Sequence, residues 1–227
     1  MEDFKVNTRE FLYEGIYYEI INSSSVEVNG YNYKKNLNNL VIPEKVGQYD
    51  VVKIDKNAFS YNNDIYHLTI NSDLMIDSYA FQNCNNLTTV NIANVKYLGD
   101  YAFSNCYNLQ QVTLNNLEYL GQFAFYYCEN LNSAVIENDD KYVNIRSNVF
   151  SDCYNLNTIA IKQNTTMDSD LSFLLNRCYN VRNLTLNELE DTTISNLFGY
   201  DITFNKLSIE SIEIGKINTV TKQLFAN

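Results

Sequence analysis

The sequence predicts a solenoid, with short parallel strands stacked along one face and irregular or short helical arcs, joined to further short strands, along the other. Three observations carry this. Phe59, Phe81, Phe103 and Phe125 stand 22 residues apart, Phe150 follows 25 later, and each comes directly after a small apolar residue. Between these anchors apolar residues alternate with polar ones, as in Val90-x-Ile92 and Val112-x-Leu114, which is the period of a strand with one buried face. A second apolar residue falls five places before each Phe, at Ile54, Ile76, Leu98, Leu120 and Ile145. A repeat of this length marks coils that cannot bury their apolar face alone and therefore stack.

Taken in order, Leu37, Leu40 and Ile42 read as the strand half of an opening coil, and Ala58-Phe59 leads into Ile65, Leu68 and Ile70. The best-preserved unit runs from Ala80 to Ile92 as A-F-x-x-C-x-N-L-x-x-V-x-I, and it recurs at 102–114, at 124–136 and, after a three-residue insertion, at 149–161. A weaker copy, Leu174-Leu175 with Cys178 and Asn180, leads into Leu184 and Leu186. Leu197-Phe198 precedes Ile209, Ile212 and Ile214, and Leu224-Phe225 starts a further unit. The residue five places before each Phe, sometimes with Val51, Val95 or Leu117 three places earlier, closes each coil on the side opposite the strand.

Cys84, Cys106, Cys128, Cys153 and Cys178 occupy one register, and stacked coils set such residues about 4.8 Å apart. Disulfide geometry, with its Cβ separation of about 3.5–4.5 Å and fixed torsion, is seldom met by in-register neighbours, so these are read as buried free thiols. Asn86, Asn108, Asn130, Asn155 and Asn180 fall two places after each Cys, with Asp64 in the same slot. An amide at a bend satisfies backbone groups, which makes this column a structural ladder.

At this point the residues carry a family resemblance. The string A-F-x-x-C-x-N-L-x-x-V-x-I, preceded by V-x-x-I-x-x-x-A-F-like spacing from Val95 to Phe103, resembles the BspA-like leucine-rich repeat across roughly residues 37–227. The stretch from Tyr18 to Ile20 and from Val26 to Tyr31 resembles the β-hairpin lead-in that such proteins place before the first coil. The resemblance implies a leucine-rich-repeat solenoid with residues 1–36 as an N-terminal cap and 37–227 as about eight coils, the last incomplete. It also implies no cofactor and a role in adhesion or protein recognition, often at a cell surface.

Two surfaces are candidates for that role. The outward strand positions His67, Thr69 and Asn71; Thr89, Asn91 and Ala93; Gln111, Thr113 and Asn115; Ser133, Val135 and Glu137; and Thr158, Ala160 and Lys162 are small and polar with little charge. They suit a protein or glycan ligand, or form a plain solvated face. Tyr79 and Tyr101 share one slot with Phe123, and Tyr97 and Tyr119 share another. Such columns either offer rigid recognition area or pack between coils.

Catalytic patterns are missing from the sequence. The single His67 faces outward while the cysteines face inward, so nucleophile and base do not converge. No metal-ligand spacing, calcium loop or phosphate-binding glycine pattern occurs: Glu137-Asn138-Asp139-Asp140 reads as a solvated bulge, and Asp168-Ser169-Asp170 is too short for a calcium loop. A net charge of −11 opposes binding to nucleic acid and anionic lipid. No apolar run reaches 18 residues, so no membrane-spanning segment is predicted, and residues 1–20 lack the apolar stretch of a secretory signal. Localisation is left between a cell surface, by resemblance, and the cytoplasm. The second functional reading is a structural or self-assembling piece of a larger repeat protein, associating through an uncapped last coil.

Overall fold

The computed structural model describes residues 9–137, 142–162, 169–186, 189–194, 196–199, 209–214 and 217–220. In chain order the strands are β1 (Glu10–Tyr13), β2 (Ile16–Ile20), β3 (Ser25–Tyr31), β4 (Asn39–Ile42), β5 (Lys45–Val46), β6 (Tyr49–Ile54), β7 (His67–Ile70), β8 (Met75–Ile76), β9 (Thr89–Asn91) and β10 (Tyr97–Leu98). There follow β11 (Gln111–Asn115), β12 (Tyr119–Leu120), β13 (Ser133–Glu137), β14 (Asn144–Ile145), β15 (Thr158–Ile161), β16 (Asn183–Leu186), β17 (Leu189–Ile194), β18 (Ser211–Ile214) and β19 (Ile217–Val220).

Eight of these form one wall in the order β18-β16-β15-β13-β11-β9-β7-β4. Its pairings are parallel, and β4 confirms the opening coil read from Leu37, Leu40 and Ile42. The opposite wall runs β1-β2-β3-β6-β8-β10-β12-β14, with β5 folded back on β6. Its two-residue strands hold the residues five places before each Phe. The hairpin β2–β3 is antiparallel, as the lead-in requires, and β3 then pairs parallel to β6, so this wall continues from the hairpin into the coils.

The arcs between the walls are turns, and no helix occurs among the described residues. Each arc carries two left-handed residues, one directly before the small residue of A-F and one two places after the Phe. Tyr79, Tyr101, Phe123 and Phe173 hold φ of 62°, 57°, 57° and 55° in the first slot, and Tyr61, Asn83, Asn105 and Tyr127 hold 61°, 59°, 57° and 57° in the second. The left-handed conformation costs an L-residue about 1–2 kcal/mol. In return, alternate backbone N–H groups point along the stack. The Phe59, Phe81, Phe103 and Phe125 N–H groups donate to Ala80, Ala102, Ala124 and Val149 at 2.8–2.9 Å, and Asn83 and Asn105 donate to Ser104 and Tyr126 at 2.9 and 2.7 Å. The arcs thereby form a hydrogen-bonded ladder of their own, beside the two β-sheet ladders.

The core is one continuous file. Phe59, Phe81, Phe103, Phe125 and Phe150 are fully buried. Their rings stack at 5.0, 5.1, 5.6 and 5.5 Å between centroids, within 10° of parallel, and Tyr31 extends the file at 5.7 Å from Phe59. Each such pair adds about 0.5–1.5 kcal/mol beyond area burial. The five thiols are free and buried, in agreement with the sequence reading. Each donates to the carbonyl of the Phe one coil back: Cys84 to Phe59 at 3.2 Å, Cys106 to Phe81 at 3.3 Å, Cys128 to Phe103 at 3.2 Å, Cys153 to Phe125 at 3.1 Å and Cys178 to Phe150 at 2.9 Å. A thiol is small enough for the file and still supplies a donor to an oxygen that water cannot reach.

The asparagine column is also a ladder. Asn86 and Asn108 donate through Nδ2 to the carbonyls of Asn63 and Asn85, both at 2.8 Å, Asn180 reaches Tyr154, and Asn130 and Asn155 each reach the amide oxygen of the preceding member. Coils approach closely at Gly121, where a Cβ would lie 2.5 Å from the Asp100 nitrogen and the Gly99 carbonyl carbon. No side chain fits there.

Three features depart from the sequence reading. The pair β17–β19 is a separate two-stranded parallel sheet where alternation gave no signal. Ile212, read as a buried strand residue, is 44% exposed, because β18 is the end strand of its sheet among the described residues. Ala160, read as facing out, is 6% exposed, since its methyl group stands between Val135 and Thr185 on the paired strands. Asn138 to Asp140, Asp168 and Leu224-Phe225 lie outside the described residues.

Candidate functional site

The outward face of the eight-stranded wall brings the sequence-selected residues into two rows. Parallel pairing sets Asn39, His67, Thr89, Gln111, Ser133, Thr158 and Asn183 side by side in the first row. In the second, Thr69 stands beside Asn91, and Thr113, Val135 and Ala160 stand in line. Alternation turns their neighbours Leu68, Ile70, Val112, Leu114, Ala134 and Ile136 into the core, so the rows rest on a rigid backing.

Exposure along the rows is uneven. His67, Thr89, Asn91, Gln111 and Thr113 are exposed, whereas Thr69, Ser133, Val135 and Thr158 are half-buried. The accessible part of the face thus lies toward its N-terminal half, where Val41 adds an apolar side chain that is 54% exposed. His67 Nδ1 and Thr89 Oγ1 share a hydrogen bond of 2.6 Å. Charge sits at the far end, where Lys162 faces Glu137 at 3.3 Å and Arg182 faces Glu210 at 3.1 Å.

The tyrosine columns form on the arcs and on the opposite wall. Tyr79 stacks on Tyr101 at 5.1 Å and Tyr101 on Phe123 at 4.9 Å, while Tyr97 stacks on Tyr119 at 4.6 Å. All four tyrosines are half-buried. Burial pushes the phenols of Tyr97, Tyr101 and Tyr119 above their ordinary range, helped by neighbouring tyrosines or Asp100. Lys56 lies 5.5 Å over the Tyr79 ring and caps one column. Every ring thus has a coil neighbour as its packing partner.

Two charged clusters elsewhere are internally paired. Lys53 reaches Asp55 at 2.8 Å, Asp77 at 3.1 Å and Glu27 at 3.7 Å. Burial opposes ionisation of Asp55, but the Lys53 ammonium and the Lys56 backbone N–H outweigh it and hold this carboxyl below its ordinary value; burial pushes Glu27 the other way. Asp152, 4% exposed, is met by Arg177 at 2.8 Å and by the Tyr154 hydroxyl at 3.0 Å. The thiols are remote from His67, and burial pushes those of Cys84 and Cys128 up to about 12. No group of three or more His, Cys, Asp or Glu residues suited to a metal ion occurs among the described residues, and no helix there is long and apolar enough to cross a membrane.

The BspA type leucine-rich repeat region, in six copies, matches residues 24–143, 74–203 and 115–227, which together span most of the chain. The chain belongs to the BspA-type leucine-rich repeat family. Solved leucine-rich repeat structures share its architecture. A leucine-rich repeat protein of T. pallidum is 18% identical, with a TM-score of 0.61 over 91% of this chain and 86% of the other. One from Bacteroides ovatus is 22% identical, with a TM-score of 0.52 over 91% and 67%. One from Bacteroides capillosus is 25% identical, with a TM-score of 0.52 over 57% and 99%. No curated protein matches the chain. Identities this low show a shared leucine-rich repeat fold, and the ligand has to be argued from the surface itself.

Proposed function

We propose that this BspA-type repeat protein is a non-enzymatic recognition scaffold of the adhesion kind, which offers the outward face of its eight-stranded wall to a protein or glycan. The observation that carries this reading is the double row of small polar groups, repeated at the strand spacing of about 4.8 Å and held on a packed core. Such a face accepts hydrogen bonds and close backbone approach without steric obstruction. The non-enzymatic part is supported by the separation of reactive groups: each thiol points at a Phe carbonyl in the core, and the one imidazole bonds Thr89 on the outside. The warrant for adhesion itself is the family analogy.

The test is retention of the full chain on immobilised extracellular-matrix proteins, beside an Asn91→Arg/Thr113→Arg variant. Both sites are exposed, so the fold should tolerate the change. Retention by the wild type and loss in the variant are expected. A wild type that binds nothing, and sediments as a dimer, would overturn this reading in favour of self-assembly.

A further inference from the structure

We propose that a groove at the corner between the two walls, away from the strand face, is a binding site for a neutral saccharide chain. The inference rests on the recognition reading above but assigns glycan contact to a different surface. The groove has a volume of about 640 Å³, within the range of roughly 300–1,000 Å³ common for ligand sites. It lies where the eight-stranded wall turns into the nine-stranded one. The turns following β7, β9 and β11 bring Asn71, Asn94 and Asn116 to it, one from each of three successive coils, and Asp50 to Val52 of β6 bound it from the cap side.

Its chemistry selects the ligand class. The three amides each combine two donor hydrogens with an acceptor oxygen. Asn94 spends one of its donors on the Asn71 carbonyl at 3.1 Å and is otherwise exposed, as is Asn71. The hydroxyl of Ser72 is buried and has no hydrogen-bond partner, a state that native structures rarely leave unmet. Asp73 pairs with Lys96 and Asp50 pairs with Lys45, while Glu44 adds a further carboxylate to the lining. The lining therefore keeps a small negative excess that disfavours anions, and only Val51 and Val52 among its residues are apolar. A ligand that trades many neutral hydrogen bonds with water on both sides of the equilibrium fits this surface, and a chain of sugar hydroxyls has that character. Repetition of the amides from coil to coil favours an extended oligosaccharide over a compact solute.

The experiment uses the full chain on an array of neutral, sialylated and sulfated glycans, followed by calorimetric titration with the best-retained neutral oligosaccharide. Val52→Tyr and, independently, Asn71→Tyr fill the groove; Asn71 is an exposed turn residue, so that variant should keep the wild-type circular dichroism. Each should weaken binding at least about tenfold, roughly the effect of losing one or two good contacts, whereas Thr113→Arg on the strand face should leave it within about twofold. Raising salt from about 0.1 to 1 M should change the affinity by less than about twofold, because a neutral saccharide brings no charge to be screened. Retention of no neutral glycan, retention only of anionic ones, or retention untouched by both groove variants would overturn the proposal. Loss of glycan binding in Thr113→Arg alone would transfer it to the strand face, keeping the recognition reading while removing the groove. Capture of a matrix protein, instead of a glycan, through residues 52 and 71 would also overturn it.

Discussion

The arc side and the strand face of this molecule are built from the same coils and obey opposite rules. On the arc side nearly every slot is filled by one residue type, and nearly every polar group is spent within the protein: Phe on Phe, thiol on carbonyl, amide on carbonyl. On the outward strand face the occupants change from coil to coil, from His67 to Thr89 to Gln111 to Ser133, while the backbone beneath them repeats. The contrast teaches that repetition in this chain reports on structural constraint, and that variation at a fixed position marks the surface on which packing imposes no residue type.

Breaking the arc side should be costly, and the largest effect should come from alkali. The thiols of Cys84 and Cys128 lie at about 12 in the folded chain against an ordinary value of 9.0, and those of Cys106, Cys153 and Cys178 are also raised by burial. Between about pH 9 and 12 the unfolded chain therefore holds fewer protons than the folded one, so stability is full below about pH 9 and falls as pH rises through that window. Urea midpoints measured at steps from about pH 8 to 11 should decline steeply, and less steeply in a Cys106→Ala/Cys128→Ala variant. A flat profile would remove the thiols from the balance.

Next in size is Phe103→Ala, which cuts the ring file at its middle and should cost about 3–5 kcal/mol in chemical denaturation. Gly121→Ala should cost about 1–3 kcal/mol, because its methyl group would meet the Asp100 and Gly99 backbone and coils would have to part. Asn108→Ala removes two partly solvated ladder bonds, to the Asn85 carbonyl and from Asn130 Nδ2, and should cost about 1–2 kcal/mol. Thr113→Ala, on the strand face, should stay within about 0.5 kcal/mol. If Thr113→Ala destabilises as much as Asn108→Ala, the two sides differ less than their sequences imply.

The arc side was legible because identity recurs there: Phe at 22-residue intervals and Cys in one register place a buried file before any coordinate is known. Alternation likewise showed which side of β7, β11 and β13 faces water. The left-handed residues were not legible at Tyr79, Tyr101 and Phe123, since an aromatic side chain gives no hint of positive φ. Asn57, Asn148 and Asn196 occupy the same slot with φ of 62°, 60° and 51°, and asparagine tolerates that region; comparing slots across coils would have exposed it. The hydrogen-bonded ladder of the arcs follows from this geometry and was missed with it. The strand β17, sequence Leu-Glu-Asp-Thr-Thr-Ile, carries charge where an apolar closure was expected, so no period marked it. The corner groove joins Val52, Asn71 and Lys96 to the pair Asn94 and Asn116, which share a slot. It is a product of stacking, which two asparagines 22 residues apart do not announce.

The coil-to-coil hydrogen bonds of the arcs have a mechanical corollary. Because each winding is fastened only to the windings beside it, tension applied between the two ends should peel them off in succession, since nearest-neighbour contacts are all that resist. Each release would lengthen the chain by about 70 Å, the reach of 22 residues at ~3.3–3.6 Å apiece less the ~5 Å rise of one winding. A tether of this construction yields in steps, so a cell or particle held by it would be paid out gradually under load before it is lost.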